Sequence, residues 1–187
     1  LRNSSAASDV YKRQPEVQQG EVDAAGLGGA SLHASRSGIA CLVADDEEDA
    51  CFLVHEILSY LPDHNDAEPP HVATEDPITR LNEELETLVP DNPNRPYDMV
   101  KVVEEVVDDG EFLELFTNYA ENIIIGFARL NGRTIGVVGN QPNVLAGCLD
   151  IDASIKAARF IRLCDAFNIP LVTFEDVPGF LPGVVQE

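Results

Sequence analysis

The residues of this sequence with the clearest chemical potential lie near its carboxyl end, where two acids precede a loop rich in proline and glycine. The acids are Glu175 and Asp176, and the loop reads Val-Pro-Gly-Phe-Leu-Pro-Gly over residues 177–183. Glycine permits backbone conformations and close ligand approach that other residues resist, while proline stiffens the chain around it. Such a loop can aim peptide N–H groups at a developing oxyanion. A plain exit from a strand stays open as the alternative, because spacing alone does not separate the two.

A helix and a short strand are predicted to position this loop. Asp150, Asp152 and Ser154 offer capping oxygens and negative charge at the amino end of the helix. Asn168 and Pro170 end it, because proline cannot continue a helix. A buried-type strand is then predicted over residues 171–174. Helical spacing puts one set of side chains on an apolar stripe and three cations off it: Ala157, Phe160, Ile161, Cys164 and Phe167 on the stripe, and Lys156, Arg159 and Arg162 off it.

The segment before this helix is predicted to form a β-hairpin. β-prone runs occupy residues 123–130 and 133–139, and Asn131-Gly132 stands between them. Asn-Gly between such runs is the strongest short-range hairpin signal. Further upstream, the pattern predicts helices over residues 45–61 and 99–109, a brief helical turn around residues 81–88, a strand near 112–116 and a turn with a helix entry over 26–38. These elements predict an α/β domain with a mixed sheet.

Composition and charge limit the class of partner. The chain has 187 residues and a net charge of −21, from 33 acidic and 12 basic residues. Such a charge argues against binding nucleic acid or an anionic membrane by a general electrostatic route. An anionic ligand such as CoA would need local cations, for which the candidates are Arg129, Arg133, Lys156, Arg159 and Arg162.

Cysteine and histidine usage predicts no metal site. The four cysteines have no CxxC spacing, and the four histidines form no metal-type cluster with them. We therefore expect reduced thiols in an intracellular compartment. No stretch approaches the roughly 20 apolar residues that a membrane helix needs.

Several long segments resemble one enzyme family. They read NYAENIIIGFARLNGRTIGVVGNQP, AGCLDIDAS, KAARFIRLCDAFNIPL and DVPGFLPG, in that order, with LGGASLHASRSGIA nearer the start. Together they resemble the carboxyltransferase (β) subunits of biotin-dependent acyl-CoA carboxylases, most of all those that carboxylate propionyl-CoA. The resemblance covers roughly residues 21–187.

The resemblance implies a crotonase-like α/β carboxyltransferase fold, comprising the end of an N-terminal half and the first part of a C-terminal half. The implied divisions are a foreign leader over residues 1–14, the end of the N-terminal domain over 15–62, a linker over 63–97 and a truncated C-terminal domain over 98–187. A fragment of this extent is expected to be inactive alone. The family's other oxyanion donors are expected before its start and after its end.

The implied reaction moves a carboxyl group from carboxybiotin to the α-carbon of propionyl-CoA and gives methylmalonyl-CoA. By position in the family, Gly179 and Phe180 are the predicted backbone oxyanion donors, and Gly139, Asn140, Gln141 and Gly183 are the predicted substrate-binding residues. No side-chain nucleophile and no metal is implied.

The implied partners are an acyl-CoA, a biotin carboxylase and biotin carboxyl carrier (α) subunit that alone uses ATP, and further copies of the β subunit. The implied location is the cytoplasm or the mitochondrial matrix. Three alternatives stay open: a carboxylase for acetyl-CoA or another acyl-CoA, a biotin-independent crotonase-type decarboxylase or hydratase, and a module that serves assembly only.

Overall fold

The structure is a computed structural model that describes residues 28–92, 95–183 and 186. The predicted leader over residues 1–14 lies outside the described residues. Helices and strands follow one another in the chain order α1 Ala30–Ser35, α2 Glu47–Tyr60, α3 Leu85–Leu88, α4 Met99–Val106, β1 Phe112–Leu115, β2 Ile123–Leu130, β3 Arg133–Asn140, α5 Ile151–Ala166 and β4 Leu171–Phe174.

The four strands form one mixed sheet in the order β1-β2-β3-β4. β2 pairs antiparallel with β1 and with β3, whereas β3 and β4 are parallel. A parallel pair needs a crossover connection, and α5 supplies it. The sheet therefore brings the carboxyl ends of β3 and β4 to the same edge, and the segments that follow them emerge side by side.

The hairpin prediction is confirmed. Asn131 and Gly132 both have positive φ, 49° and 74°, as a two-residue turn between twisted strands requires. The buried Asp108 carboxylate accepts hydrogen bonds from the amides of both residues, at 2.9 Å and 2.6 Å. Gly132 also lies against the main chain of residue 72, whose amide donates to the Gly132 carbonyl at 2.9 Å.

The core occupies both faces of the sheet, because successive side chains of a strand point to opposite sides. On one face, Phe127 packs between the rings of Tyr60 and Phe160, with ring centroids 5.6 Å and 5.2 Å away. On the other face, α4 covers the sheet with Met99 and Val103, both buried.

In helix α5 the predicted cap at Asp150 is confirmed, whereas the predicted buried face is wrong at two positions. The Asp150 carboxylate accepts from the Ala153 amide at 2.8 Å. Ile161, expected on the buried stripe, is 40% exposed, whereas Lys156, expected off it, is only 3% exposed. Lys156 is buried because main-chain carbonyls from the loop between β1 and β2 surround its ammonium group. Lys156 therefore belongs to the buried side of α5.

Three other expectations differ from the structure. The helix expected over residues 99–109 ends at Val106, because Val107 is extended and Asp109 has a φ of 54°. Strand β4 has the predicted bounds, but it is the edge strand among the described residues and is only half-buried. The helix predicted over residues 45–61 spans only Glu47–Tyr60, with Asp46 as its N-cap.

The predicted linker contacts the C-terminal unit along its length. The Arg80 guanidinium donates to the carbonyls of Val106 and Val107 at 2.9 Å and 2.7 Å, and so supplies hydrogen-bond donors at the carboxyl end of α4. Asn82 donates to the Glu105 carbonyl. The domain boundaries themselves stay a prediction.

Candidate functional site

Two loops meet at the carboxyl ends of β3 and β4. The first loop spans residues 141–149 and the second spans residues 175–183, with an isolated parallel bridge between Leu149 and Phe180. The Leu149 amide donates to the Gly179 carbonyl at 3.0 Å, and the Leu181 amide donates to the Leu149 carbonyl at 2.8 Å. The crevice outside the carboxyl ends of strands is the usual ligand position in α/β sheets.

Phe180 lies on the exposed part of the second loop, and its amide is free of hydrogen bonds to the part of the chain that the structure describes. The Gly179 carbonyl and the Leu181 amide bond to Leu149, whereas the N–H groups of Gly179 and Phe180 have no acceptor among the described residues. Phe180 is 72% exposed, and Gly179 has a φ of 150°, in the region that favours glycine. The loop therefore leaves the consecutive N–H groups of Gly179 and Phe180 without an acceptor among the described residues.

The side chains of Asn140 and Gln141, two of the predicted substrate-binding residues, are buried and bonded internally. Asn140 Nδ2 donates to the Gly147 carbonyl at 3.0 Å. Gln141 Oε1 accepts from the Met99 amide at 3.2 Å, while its Nε2 donates to Asp98 at 2.7 Å. These bonds fix the loop after β3, so both side chains support this loop from the protein interior.

Gly139 and Gly183, the other predicted substrate-binding residues, have different surroundings. A Cβ at Gly139 would lie 3.3 Å from Ile124 and Met99 side-chain atoms, so this glycine sits in the packed sheet. Gly183 has a φ of 140° and open space around it. Gly183 thus belongs to the exposed loop, whereas Gly139 is enclosed.

A cleft of about 700 Å³ opens between the linker and the two loops. Prolines form much of its wall, and the Tyr97 hydroxyl crosses it to donate to Asp176 Oδ2 at 2.7 Å. Burial, together with the hydrogen bond to Asp176, raises the pKa of Tyr97 to about 12. Sequence reasoning missed this pair, because the two residues are 79 positions apart and a lone tyrosine in a linker carries no local signal.

A second cleft, of about 390 Å³, lies on the other side of the Phe180 loop. The exposed face of α5 forms one wall with Ile151, Ile155 and Arg162, and Phe180 and Leu181 form the opposite wall. The loop is therefore accessible from two sides.

The candidate cations for an anionic ligand are not equivalent. Lys156 is buried and unavailable, and Arg129 lies 4.1 Å above the Tyr60 ring while it donates to Ser59 Oγ at 3.0 Å. Arg162 lines the cleft beside Phe180 and is exposed. Of the predicted set, Arg162 is therefore the cation that lies beside the 177–183 loop. Within residues 28–92, 95–183 and 186, no group of three metal-ligating side chains comes together.

A family model described as "Carboxyl transferase domain" matches residues 9–187. The chain belongs to this family. The propionyl-CoA carboxylase beta chain, mitochondrial, of Sus scrofa is 52% identical over 179 residues, which are 96% of this chain and 33% of the relative. The methylmalonyl-CoA decarboxylase subunit alpha of Veillonella parvula is 53% identical over 89% of this chain and 33% of the relative.

The name of a third relative includes biotin. The biotin-dependent acetyl-/propionyl-coenzyme A carboxylase beta5 subunit of Mycobacterium leprae is 52% identical over 86% of this chain and 31% of the relative. The chain thus spans about a third of the length of the curated relatives it matches.

The solved structures confirm the fold. Transcarboxylase 12S, crystallised as a hexamer with methylmalonyl-coenzyme A and methylmalonic acid bound, superposes with a TM-score of 0.88 at 45% identity, over 92% of this chain and 33% of that one. The expectation of a crotonase-like α/β carboxyltransferase fold is therefore confirmed. In the part of the chain that the structure describes, no helix has the length and apolar character to span a bilayer.

Proposed function

We propose that this chain supplies part of the carboxyltransferase site of a biotin-dependent acyl-CoA carboxylase. The proposed reaction moves a carboxyl group from carboxybiotin to the α-carbon of propionyl-CoA and gives methylmalonyl-CoA. The observation that carries the proposal is the unpartnered Phe180 amide on an exposed loop of a carboxyl transferase domain.

The loop fits the chemistry of biotin. Carboxylated biotin supplies an activated carboxyl group, and negative charge develops on its ureido oxygen as that group leaves. An N–H that is already oriented and lacks an internal acceptor can bind this oxygen without reorganisation, and one such donor contributes about 3 kcal/mol. Of the two predicted donors, we place Phe180 first, because Phe180 is 72% exposed whereas Gly179 is partly buried.

The remaining residues orient this donor. Proline at 178 and 182 restricts the backbone on both sides of Phe180, and the bridge to Leu149 fixes the loop against the segment that follows β3. Asn140 and Gln141 brace the neighbouring loop, which holds Leu149 in place. The chain therefore contributes binding and orientation, and no nucleophilic side chain is needed.

The proposed partners are a biotin carboxylase with its biotin carboxyl carrier, which alone uses ATP, and further copies of this subunit. The beta5 relative is named biotin-dependent, and transcarboxylase 12S assembles as a hexamer, which supports both kinds of partner. The proposed location is the mitochondrial matrix or the cytoplasm, and the pig relative is named mitochondrial.

The test is a transfer assay on the natural full-length chain. Purified protein is incubated with free biotin and either methylmalonyl-CoA or malonyl-CoA, and release of the decarboxylated acyl-CoA is followed. We expect biotin-dependent turnover with preference for methylmalonyl-CoA. Preference for malonyl-CoA would instead indicate an acetyl-CoA carboxylase component.

A second candidate function is methylmalonyl-CoA decarboxylation, which the Veillonella relative favours. Both reactions stabilise negative charge on a thioester oxygen, so the two differ in the acceptor of the carboxyl group. With ¹⁴C in that carboxyl group, recovery of the label on biotin supports transfer. Release of labelled CO₂ at the same rate without biotin supports a biotin-independent decarboxylase.

A further inference from the structure

The loop that carries Phe180 is anchored at two points. On its far side, Gly179 and Leu181 bond to Leu149. On its near side, Asp176 Oδ2 accepts the hydrogen bond from the Tyr97 hydroxyl at 2.7 Å. Two residues separate Asp176 from Gly179, so a shift of Asp176 is passed directly to the exposed amide.

Tyr97 is itself fixed by the residues that follow it. Asp98 Oδ1 accepts from Gln141 Nε2 at 2.7 Å and from the Val100 amide at 3.0 Å. Gln141 Oε1 in turn accepts from the Met99 amide at 3.2 Å. The segment 97–99 is thus bonded to the loop after β3 through Gln141 and to the loop after β4 through Asp176.

Space around Asp176 is limited as well. Its carbonyl oxygen lies so close to Gly147 that a Cβ there would be 2.8 Å away. Gly147 has a φ of 75°, and its own carbonyl accepts from Asn140. Asp176 is therefore packed against Gly147 of the loop after β3 on one side and hydrogen-bonded to Tyr97 of the linker on the other.

We propose that Tyr97 and Asp176 are positioning residues that set the orientation of the Phe180 amide toward the biotin ureido oxygen. This inference rests on the proposed function and assigns a specific task to the linker. The Tyr97 hydroxyl is protonated, and so able to donate, throughout the physiological range, as is any tyrosine with a pKa of 10 or above. The tyrosine ring lines the proline-walled cleft, and its hydroxyl faces Asp176 across a hydrogen bond of 2.7 Å.

The experiment compares saturation by free biotin and by methylmalonyl-CoA in the natural full-length chain. Tyr97→Phe removes the hydroxyl and keeps the ring, so we expect the KM for biotin to rise roughly tenfold, as for loss of a hydrogen bond to a charged group. The KM for methylmalonyl-CoA should stay unchanged, since Tyr97 acts through the loop proposed to bind biotin.

Two substitutions of Asp176 separate a lost contact from a lost charge. Asp176→Ala removes the acceptor and should match Tyr97→Phe. Asp176→Asn retains an acceptor oxygen and should restore the KM for biotin toward that of the unmodified chain. Failure of asparagine to improve on alanine would contradict the assignment.

Tyr119→Phe is the matched control, because Tyr119 donates to the carboxylate of Asp152 at 2.9 Å and does not bond to the 175–183 loop. It should leave both KM values unchanged. An equal rise of both KM values in Tyr97→Phe, or the same rise in Tyr119→Phe, would reveal a general structural effect and overturn the assignment. Absence of biotin-dependent turnover in the unmodified chain would instead overturn the proposed function.

Discussion

The Lys156 ammonium nitrogen lies 2.8 Å from the carbonyl oxygen of Ile123, deep between α5 and the sheet. Three further carbonyls, from Phe116, Tyr119 and Ala120, lie within 3.3 Å of the same nitrogen. Burial lowers the pKa of Lys156 to about 8, against the opposing charges of Glu114 and Glu121. The four acceptors favour the charged form, so the group is an ammonium at neutral pH and serves as an internal clamp on the loop between β1 and β2.

The first prediction concerns this clamp. Lys156→Met keeps the aliphatic stem but leaves the carbonyl oxygens without their donor, so we expect the free energy of unfolding to fall by about 3 kcal/mol. Denaturant unfolding followed by circular dichroism measures it. Arg162→Met on the exposed face of the same helix is the control, with an expected change within about 0.5 kcal/mol. Equal effects of the two substitutions would show that Lys156 does not clamp the loop.

The second prediction concerns pH. Burial raises the pKa of the Cys164 thiol from 9.0 to about 12, so the folded chain holds this proton more tightly than the unfolded chain. The stabilisation is complete below pH 9 and is lost as pH rises from 9 toward 12. The unfolding free energy of the unmodified chain minus that of Cys164→Ala should be constant below pH 9 and then fall by about 1.4 kcal/mol per pH unit.

Unfolding of both chains at a series of pH values from 7 to 11 tests this slope. The subtraction removes the contributions of Lys156 and Tyr97 to the pH dependence, because both residues titrate in the unmodified chain and in the variant. A difference that stays flat across the whole range would contradict the buried, protonated thiol. The exposed Cys51 provides an internal check, because it should be alkylated in the folded chain while Cys164 is protected.

The third prediction concerns the hairpin turn. A Cβ at Gly132 would overlap the carbonyl oxygen of Val72, and the φ of 74° is strained for any side chain. Gly110 has a similar φ of 69°, but a Cβ there would be 3.6 Å from its nearest neighbour. Gly132→Ala should therefore destabilise the chain by about 2 kcal/mol more than Gly110→Ala, the order of an overpacking cost. Thermal unfolding of both variants gives the comparison, and equal losses would mean that the linker does not press on the turn.

Local chemistry in the sequence was sufficient for much of the fold. Signals that act over a few residues were enough to place the Asn131-Gly132 turn, the Asp150 cap and the break around Pro170. The structure has a hairpin turn, a helix N-cap and a helix end at these positions. The buried face of α5 could not be predicted in this way. Lys156 is buried because acceptors 33 to 40 positions away converge on it.

The candidate site divides in the same manner. The proline and glycine spacing of residues 177–183 identified the exposed loop, because backbone restriction is a local property. The second anchor of that loop was not visible, since Tyr97 and Asp176 are 79 positions apart in the sequence and meet only in the tertiary structure. Pairings of this kind depend on the parallel register of β3 and β4, which the single strands do not specify.

The most direct test of the account compares Phe180→Pro with Phe180→Ala in the natural full-length chain. Proline deletes the amide hydrogen, whereas alanine keeps it and removes only the side chain. With methylmalonyl-CoA and biotin as substrates, and with both variants folded by circular dichroism, we expect proline to lower kcat at least about 100-fold relative to alanine, the order seen for loss of one oxyanion donor. Equal biotin-dependent turnover in the two variants would show that the Phe180 N–H is not a donor and would contradict the central claim.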